Sequence, residues 1–223
     1  MHSIIAAQNY VRLHQEQSTL VPLGLHRDTR YIQVLCHHQC GYLTLFWQAP
    51  DYSPSTSAVM KQMLAKGNAQ EWNTRMQPVA AVVNAILCAT HLELYNAAKA
   101  TIAALRSERQ FDAALDCWPS MFSAMALMSN RQTPRHRDNK TWHTFYDIIL
   151  TVGQYNVADF AITGLGASLN YSPGTIVALC AAILEHAVEV ETGERVCWVF
   201  YMRRDIFQYA GVKIPHWAEL DRT

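Results

Sequence analysis

Two histidines and an aspartate stand in an order that metal chemistry can use: His136-Arg137-Asp138, then His186 fifty residues later, then Arg195 nine residues further on. Two imidazoles and one carboxylate on one face of an octahedral ferrous ion leave three positions open, enough for a bidentate 2-oxo acid and dioxygen. Residues separated by one along extended backbone point the same way, so His136 and Asp138 can chelate together while Arg137 points elsewhere. The second histidine has to come from another strand. A stretch of this length holds about four short strands, which puts His186 at a strand end. A guanidinium at Arg195 can grip a distal carboxylate through two parallel hydrogen bonds. In a chain of ten histidines such an order also arises by chance, so the elements that carry these residues matter to the reading.

Those elements change along the chain. From residue 55 to about residue 130 the sequence is rich in Ala, Leu, Met and Gln, with apolar residues at helical spacing in SAVMKQMLAKG, VAAVVNAILCATHLELYNAAKATIAALRSE and FDAALDCW, and this stretch reads as mostly helical. Ser55, Ser57 and Pro78 read as helix starts, Gly67-Asn68 and Cys117-Trp118-Pro119 as stops. Ahead of it, YIQVLC and YLTLFW flank His37-His38-Gln39-Cys40-Gly41 as a short hairpin. After Arg131, TFYDIILTV, ADFAI, ASLNY, GTIVALC and RVCWVFYM are strand-length runs with turns at the roughly 8 to 12 residue rhythm of a sandwich or barrel. Residues 188–190 and 195–202 are expected to pair as a hairpin that brings Arg195 beside His186. The fold expected is α+β, one unit over residues 1–223, in which helices of about 1–130 buttress a β-barrel of about 131–223.

Composition narrows the function classes. The chain has 223 residues, 50% hydrophobic and 16% charged, with 18 Lys+Arg against 18 Asp+Glu. That balance is wrong for a disordered chain or a histone-like polyanion binder, so any nucleic-acid contact is a local patch. Six cysteines at irregular spacing and no recognisable signal segment suggest a reducing compartment. The uncharged run 160–184 is punctuated by Gly and Pro and is not expected to span a membrane. Cys36-His37-His38-Gln39-Cys40 lacks a second ligand pair and reads as a reduced hairpin rather than a zinc site. His91 reads as a packed or capping histidine, and Gly164-Leu165-Gly166 falls short of a dinucleotide loop.

A set of motifs in fixed order adds to this: Asn130-Arg131-Gln132-Thr133-Pro134-Arg135-His136-Arg137-Asp138, Gly153-Gln154-Tyr155, Leu165-Gly166-Ala167, Tyr171-Ser172-Pro173-Gly174-Thr175, Leu184-Glu185-His186, and Glu194-Arg195-Val196-Cys197 to Tyr201-Met202-Arg203. The segment of residues 130–217 resembles the TET/JBP family of Fe(II)- and 2-oxoglutarate-dependent nucleic-acid dioxygenases, most closely the branch expanded in mushroom-forming fungi alongside transposable elements. The resemblance implies a double-stranded β-helix (jelly-roll, cupin-like) core. It implies that His136, Asp138 and His186 hold Fe(II), that Arg195 holds the 2-oxoglutarate carboxylate, and that O2 is co-substrate. Many such enzymes carry Ser two positions beyond the arginine, where this chain has Cys197.

It further implies oxidation of a methyl group on a DNA base. The outcome is either 5-methylcytosine taken to hydroxymethyl, formyl and carboxyl products or N6-methyladenine demethylated through a hemiaminal. The base would be flipped from duplex DNA, the location would be nuclear, and no obligate protein partner is expected. Arg131, Arg135, Arg137 and Lys140 are candidates for phosphates, Asn130, Asp147, Tyr155 and Tyr171 for substrate contacts, and Phe145, Trp142 and His143 for stacking. The rings read equally as packing. Two other functions share the fold: a non-catalytic DNA- or protein-binding module, and a small-molecule 2-oxoglutarate oxygenase.

Overall fold

Alternation of side chains along β-strands decides the architecture. In the computed structural model, which describes residues 39–44, 46–47, 54–130, 132–138, 141–190 and 193–217, the strands are β1 (Gln39–Thr44), β2 (Phe46–Trp47), β3 (Ser55–Thr56), β4 (Ala124–Ser129), β5 (Thr133–His136), β6 (Asp147–Tyr155), β7 (Ala158–Ile162), β8 (Ala167–Asn170), β9 (Ile176–Leu179), β10 (His186–Val190) and β11 (Gly193–Tyr201). Two antiparallel sheets form the barrel, one in the order β1-β4-β11-β6-β9 and the other β5-β10-β7-β8, and β2 pairs with β3 in a separate two-stranded sheet. From β4 onward the chain passes back and forth between them, with β4, β6, β9 and β11 in one and β5, β7, β8 and β10 in the other. This winding is that of a double-stranded β-helix, and the fold is α+β.

The five-stranded sheet is buried on both faces. Ile148, Leu150 and Val152 of β6, Val196, Trp198 and Phe200 of β11, and Met125 and Leu127 of β4 pack on one face against the helices. The alternate positions Ile149, Tyr155, Cys197, Val199 and Ala126 face Phe160, Tyr171 and Val188 across the barrel. Each fully buried Leu, Val or Phe contributes about 1.5–3 kcal/mol. Strands apolar on both faces lose the polar–apolar alternation that normally announces a strand.

The helices are α1 (Ala58–Ala65), α2 (Ala69–Thr90), α3 (Leu92–Leu105), α4 (Asp112–Asp116) and α5 (Arg204–Tyr209). The hydroxyl of Ser57 caps α1 by accepting from the Met60 N–H at 3.2 Å, and Gly67 takes the left-handed φ of +73° that ends it. His91 is 1% exposed and separates α2 from α3, its Nδ1 accepting from the Leu94 N–H at 3.4 Å; the capping role expected for it is the one it has.

Several expectations need correction. Residues 124–129 are strand β4 and not helix, because their neighbours bury them on both faces. Pro78 lies inside α2 instead of starting it; Trp72, Val79, Val83 and Leu87 bury a continuous stripe through that point, which outweighs one missing N–H. Ser55 is in β3, not at a helix start. Gln39, Cys40 and Gly41 belong to β1, paired to β4, and do not form a hairpin turn; YIQVLC, Cys36, His37 and His38 lie outside the described residues. No hairpin joins β10 to β11: β10 pairs with β5 and β7, whereas β11 pairs with β4 and β6. His186 starts its strand instead of ending one. Among the described residues no helix is long and apolar enough to cross a membrane.

Candidate metal centre

β5 and β10 run antiparallel, with His136 and His186 opposite each other in register and an irregularity between His186 and Val188. Their rings lie 4.3 Å apart. Asp138 sits just past the end of β5, where its backbone N–H donates to the Ala181 carbonyl at 2.9 Å. That bond folds the residue back beside the two rings. One ligand atom from each of His136, Asp138 and His186 lies within 4.8 Å of the others, and His136 Nε2 is 3.3 Å from Asp138 Oδ1.

The histidines are oriented identically. His136 Nδ1 meets the Pro134 carbonyl and His186 Nδ1 meets the Leu184 carbonyl, each at 2.9 Å and each two residues upstream. A carbonyl can only accept, so Nδ1 is the donor in both rings, and Nε2 is the atom each ring would offer to a metal. This second contact is what fixes a metal-ligating imidazole. His186 is 3% exposed, stacks on Phe160 with the ring planes 4° apart, and has its pKa lowered chiefly by burial, which keeps the ring neutral. Two imidazoles and a carboxylate on one side of a shared point fit a ferrous ion with open positions opposite.

A second polar cluster lies inside the barrel. Arg195 is 2% exposed; its Nε donates to Thr151 Oγ1 at 3.0 Å and its guanidinium lies 5.1 Å from the Tyr171 ring centre. Tyr155 donates to the Tyr171 carbonyl at 2.7 Å, so at its 3.0 Å contact with Thr151 it accepts, and a one-way chain runs from Arg195 through Thr151 and Tyr155. Burial pushes both phenols up, Tyr171 well above the usual range, so both stay protonated. Tyr171 Oη lies 3.7 Å from Cys197 Sγ. Phe160 links the clusters, stacking on His186 and meeting Tyr171 at 5.3 Å. A buried guanidinium among hydroxyls is suited to a dicarboxylate's far end.

Close backbone approach makes this possible. Gly153, opposite Arg195 in register, has φ +142°, and a Cβ there would run into the Glu194 carbonyl oxygen and lie 2.9 Å from Arg195 Cα. On the other side of β11, Asn130 at φ +50° accepts the Arg195 N–H on its Oδ1 at 2.7 Å and donates its own N–H to the Arg195 carbonyl at 2.8 Å.

The residues expected at the site are thus distributed. His136, Asp138 and His186 converge, and Arg195, Cys197, Tyr155 and Tyr171 form the neighbouring buried cluster. Asn130 clamps the backbone of Arg195. Arg135 and Arg137 are exposed around the metal motif, while Arg131 and Lys140 lie outside the described residues. Asp147 is fully buried at the start of β6; it accepts from Thr141 Oγ1 at 3.2 Å, and burial, then the nearby Asp138 charge, raise its pKa well above the carboxylate range. Phe145 is buried against Phe207. Thr151 and Phe160 went unnoticed in the sequence. The one polar residue inside the apolar run IILTV was the available signal for Thr151, and nothing local marks Phe160.

A family model described as the oxygenase domain of the 2OGFeDO superfamily, Tet_JBP, matches residues 51–204. No curated protein matches the chain. Among solved structures, NgTET1 in complex with 5mC DNA is similar with a TM-score of 0.55 at 14% identity, over 79% of this chain and 66% of that one, so the chain spans just under two thirds of that protein. A cupin-2 domain protein from Shewanella frigidimarina gives a TM-score of 0.28 at 9% identity, over 35% of this chain and 69% of its own. A cupin 2 conserved barrel protein from Salinispora arenicola gives 0.29 at 15%, over 42% and 76%.

Proposed function

The chain belongs to the Tet/JBP family, the oxygenase domain of the 2OGFeDO superfamily that works with Fe(II) and 2-oxoglutarate, and on that premise we propose that it oxidises the methyl group of a modified base in DNA. The observation that carries the reading is the convergence of His136, Asp138 and His186 within 4.8 Å, with both imidazoles held Nε2-outward. When bound, iron with 2-oxoglutarate and dioxygen supplies an oxidant able to take hydrogen from a methyl group, releasing succinate and carbon dioxide.

The chain's own part is positioning. His136, Asp138 and His186 hold the metal from one side and leave the other open. Arg195, oriented by Thr151 and Asn130, takes the far carboxylate of 2-oxoglutarate, with Tyr171 and the Cys197 thiol beside it. The protonated phenol of Tyr171 adds a donor, while Tyr155, whose own O–H is taken by the Tyr171 carbonyl, orients Thr151, and neither adds negative charge. The exposed Arg135 and Arg137, with Arg131 and Lys140 of the same segment, take phosphates. A base inside duplex DNA has to leave the stack to reach the metal.

The DNA substrate is supported by the family and by NgTET1 having been seen with 5mC DNA; it implies work in the nucleus. The two candidate bases are 5-methylcytosine, carried to hydroxymethyl, formyl and carboxyl products, and N6-methyladenine, returned to adenine. Mass spectrometry of nucleosides from duplex DNA bearing either base, incubated with the protein, Fe(II) and 2-oxoglutarate with and without oxygen, tests the proposal. Oxygen-dependent product in one pool is expected and names the base; succinate without nucleoside product would overturn the DNA reading.

A further inference from the structure

Beyond the metal site, one exposed cluster combines rings and a cation. Arg204, at the start of α5, lays its guanidinium 3.7 Å from the centre of the Trp142 ring. His143 lies 4.4 Å from Trp142 and 6.0 Å from Trp217. Trp217 is 41% exposed, and His143 and Arg204 are exposed as well. Thr144 Oγ1 donates to the Pro215 carbonyl at 3.0 Å, and Cys180 Sγ lies 2.8 Å from the His143 carbonyl, so loop and C-terminal segment are fastened together.

The charge arrangement is selective. Arg203 is held by Asp205 at 2.6 Å, whereas Arg204 has no carboxylate in reach among the described residues. A guanidinium stacked on an indole is fixed in plane and keeps its edge N–H donors directed outward. An edge of that kind suits a phosphate, and the neighbouring imidazole and indole faces suit an unstacked base. Trp142 comes four residues after Asp138, a gap the extended chain spans in at most about 14 Å. That distance is about four rises along a DNA strand.

Resting on the DNA substrate proposed for the metal centre, we propose that Arg204, His143 and Trp217, seated on Trp142, bind an unstacked nucleotide segment flanking the target base, the guanidinium on a phosphate and the rings on a base. The cluster then favours a locally single-stranded partner, because bases stacked within a duplex offer no free face.

The test is anisotropy titration of a fluorescein-labelled oligonucleotide carrying one 5-methylcytosine, as a single strand and as a duplex, with the full chain and its variants, each melted to confirm folding. Trp217→Ala should weaken single-strand binding about five- to 140-fold, the range of one lost base stack, and Arg204→Ala about 12- to 140-fold, the range of a lost hydrogen bond to a charged group, each with a smaller effect on the duplex. Arg204→Ala should also flatten the salt dependence by about 0.7 in log–log slope, the value of one single-strand phosphate. Arg204→Lys should keep that slope and still lose affinity. Binding and DNA oxidation by the unaltered chain, with affinity unchanged in both Trp217→Ala and Arg204→Ala, would overturn this inference and leave the DNA reading standing. An unaltered chain that neither binds nor oxidises DNA would overturn both.

Discussion

Replacing Gly153 by alanine should damage the 2-oxoglutarate cluster without touching any group that does chemistry. At φ +142° an L-residue is strained by about 1–3 kcal/mol, and the new Cβ, driven into the Glu194 carbonyl oxygen and 2.9 Å from Arg195 Cα, adds about 1–3 kcal/mol of overpacking. Both neighbours are backbone of β11, so relief requires the strand to move. A loss of about 2–6 kcal/mol lowers the melting temperature of a domain this size by roughly 4–24 °C. The movement also pulls Arg195 from Thr151, and weakening one hydrogen bond to a charged group raises the 2-oxoglutarate needed for half-maximal turnover about tenfold or more. Thermal melts and succinate formation against 2-oxoglutarate concentration measure the two effects. Gly164→Ala is the control, since it meets nothing within 4 Å and has no positive φ. A Gly153→Ala protein that melts within about 2 °C of the unaltered chain and needs no more 2-oxoglutarate would refute the reasoning.

His136→Ala or Asp138→Ala should abolish stoichiometric iron binding and turnover while the protein still melts cooperatively, because both side chains are about a third exposed, at 35% and 36%; metal analysis and nucleoside mass spectrometry check this, and retained activity in either would remove the assignment. Arg135→Glu together with Arg137→Glu should weaken duplex binding and reduce its log–log salt dependence by about 0.9 for each phosphate no longer neutralised, and indifference would favour a small-molecule substrate. Burial lowers the pKa of His91, against the raising influence of the Thr144 backbone, Glu93 and the His216 backbone, with the Tyr146 ring packed on it. Its neutral form therefore supports the fold above about pH 6.5, and that support is lost as pH falls, with a slope of at most about 1.4 kcal/mol per pH unit. His91→Asn keeps a cap for the Leu94 N–H without titrating there, so urea unfolding should show a shallower acid decline, and an identical pH profile would locate the effect elsewhere.

The sequence alone was enough to determine what depends on residue type and short spacing. His136 and Asp138 are two apart and so share a side of extended backbone, Ser57 can cap only a helix on its C-terminal side, and ADFAI and GTIVALC have strand length and turn punctuation. The order of motifs carried the family and with it the cofactors. The tertiary structure alone decided what depends on which surfaces meet. AMALMS carries Ala and Met without alternation and reads as helix, yet it is the second strand of the large sheet because both its faces are buried. Arg195 was expected on a hairpin beside His186, but β10 and β11 enter opposite sheets. The guanidinium and the metal ligands therefore meet across the barrel through Phe160 and Tyr171, whose side chains say nothing locally about a site. Periodicity reports one face of one element at a time. A site assembled between two sheets exists only once both have been placed.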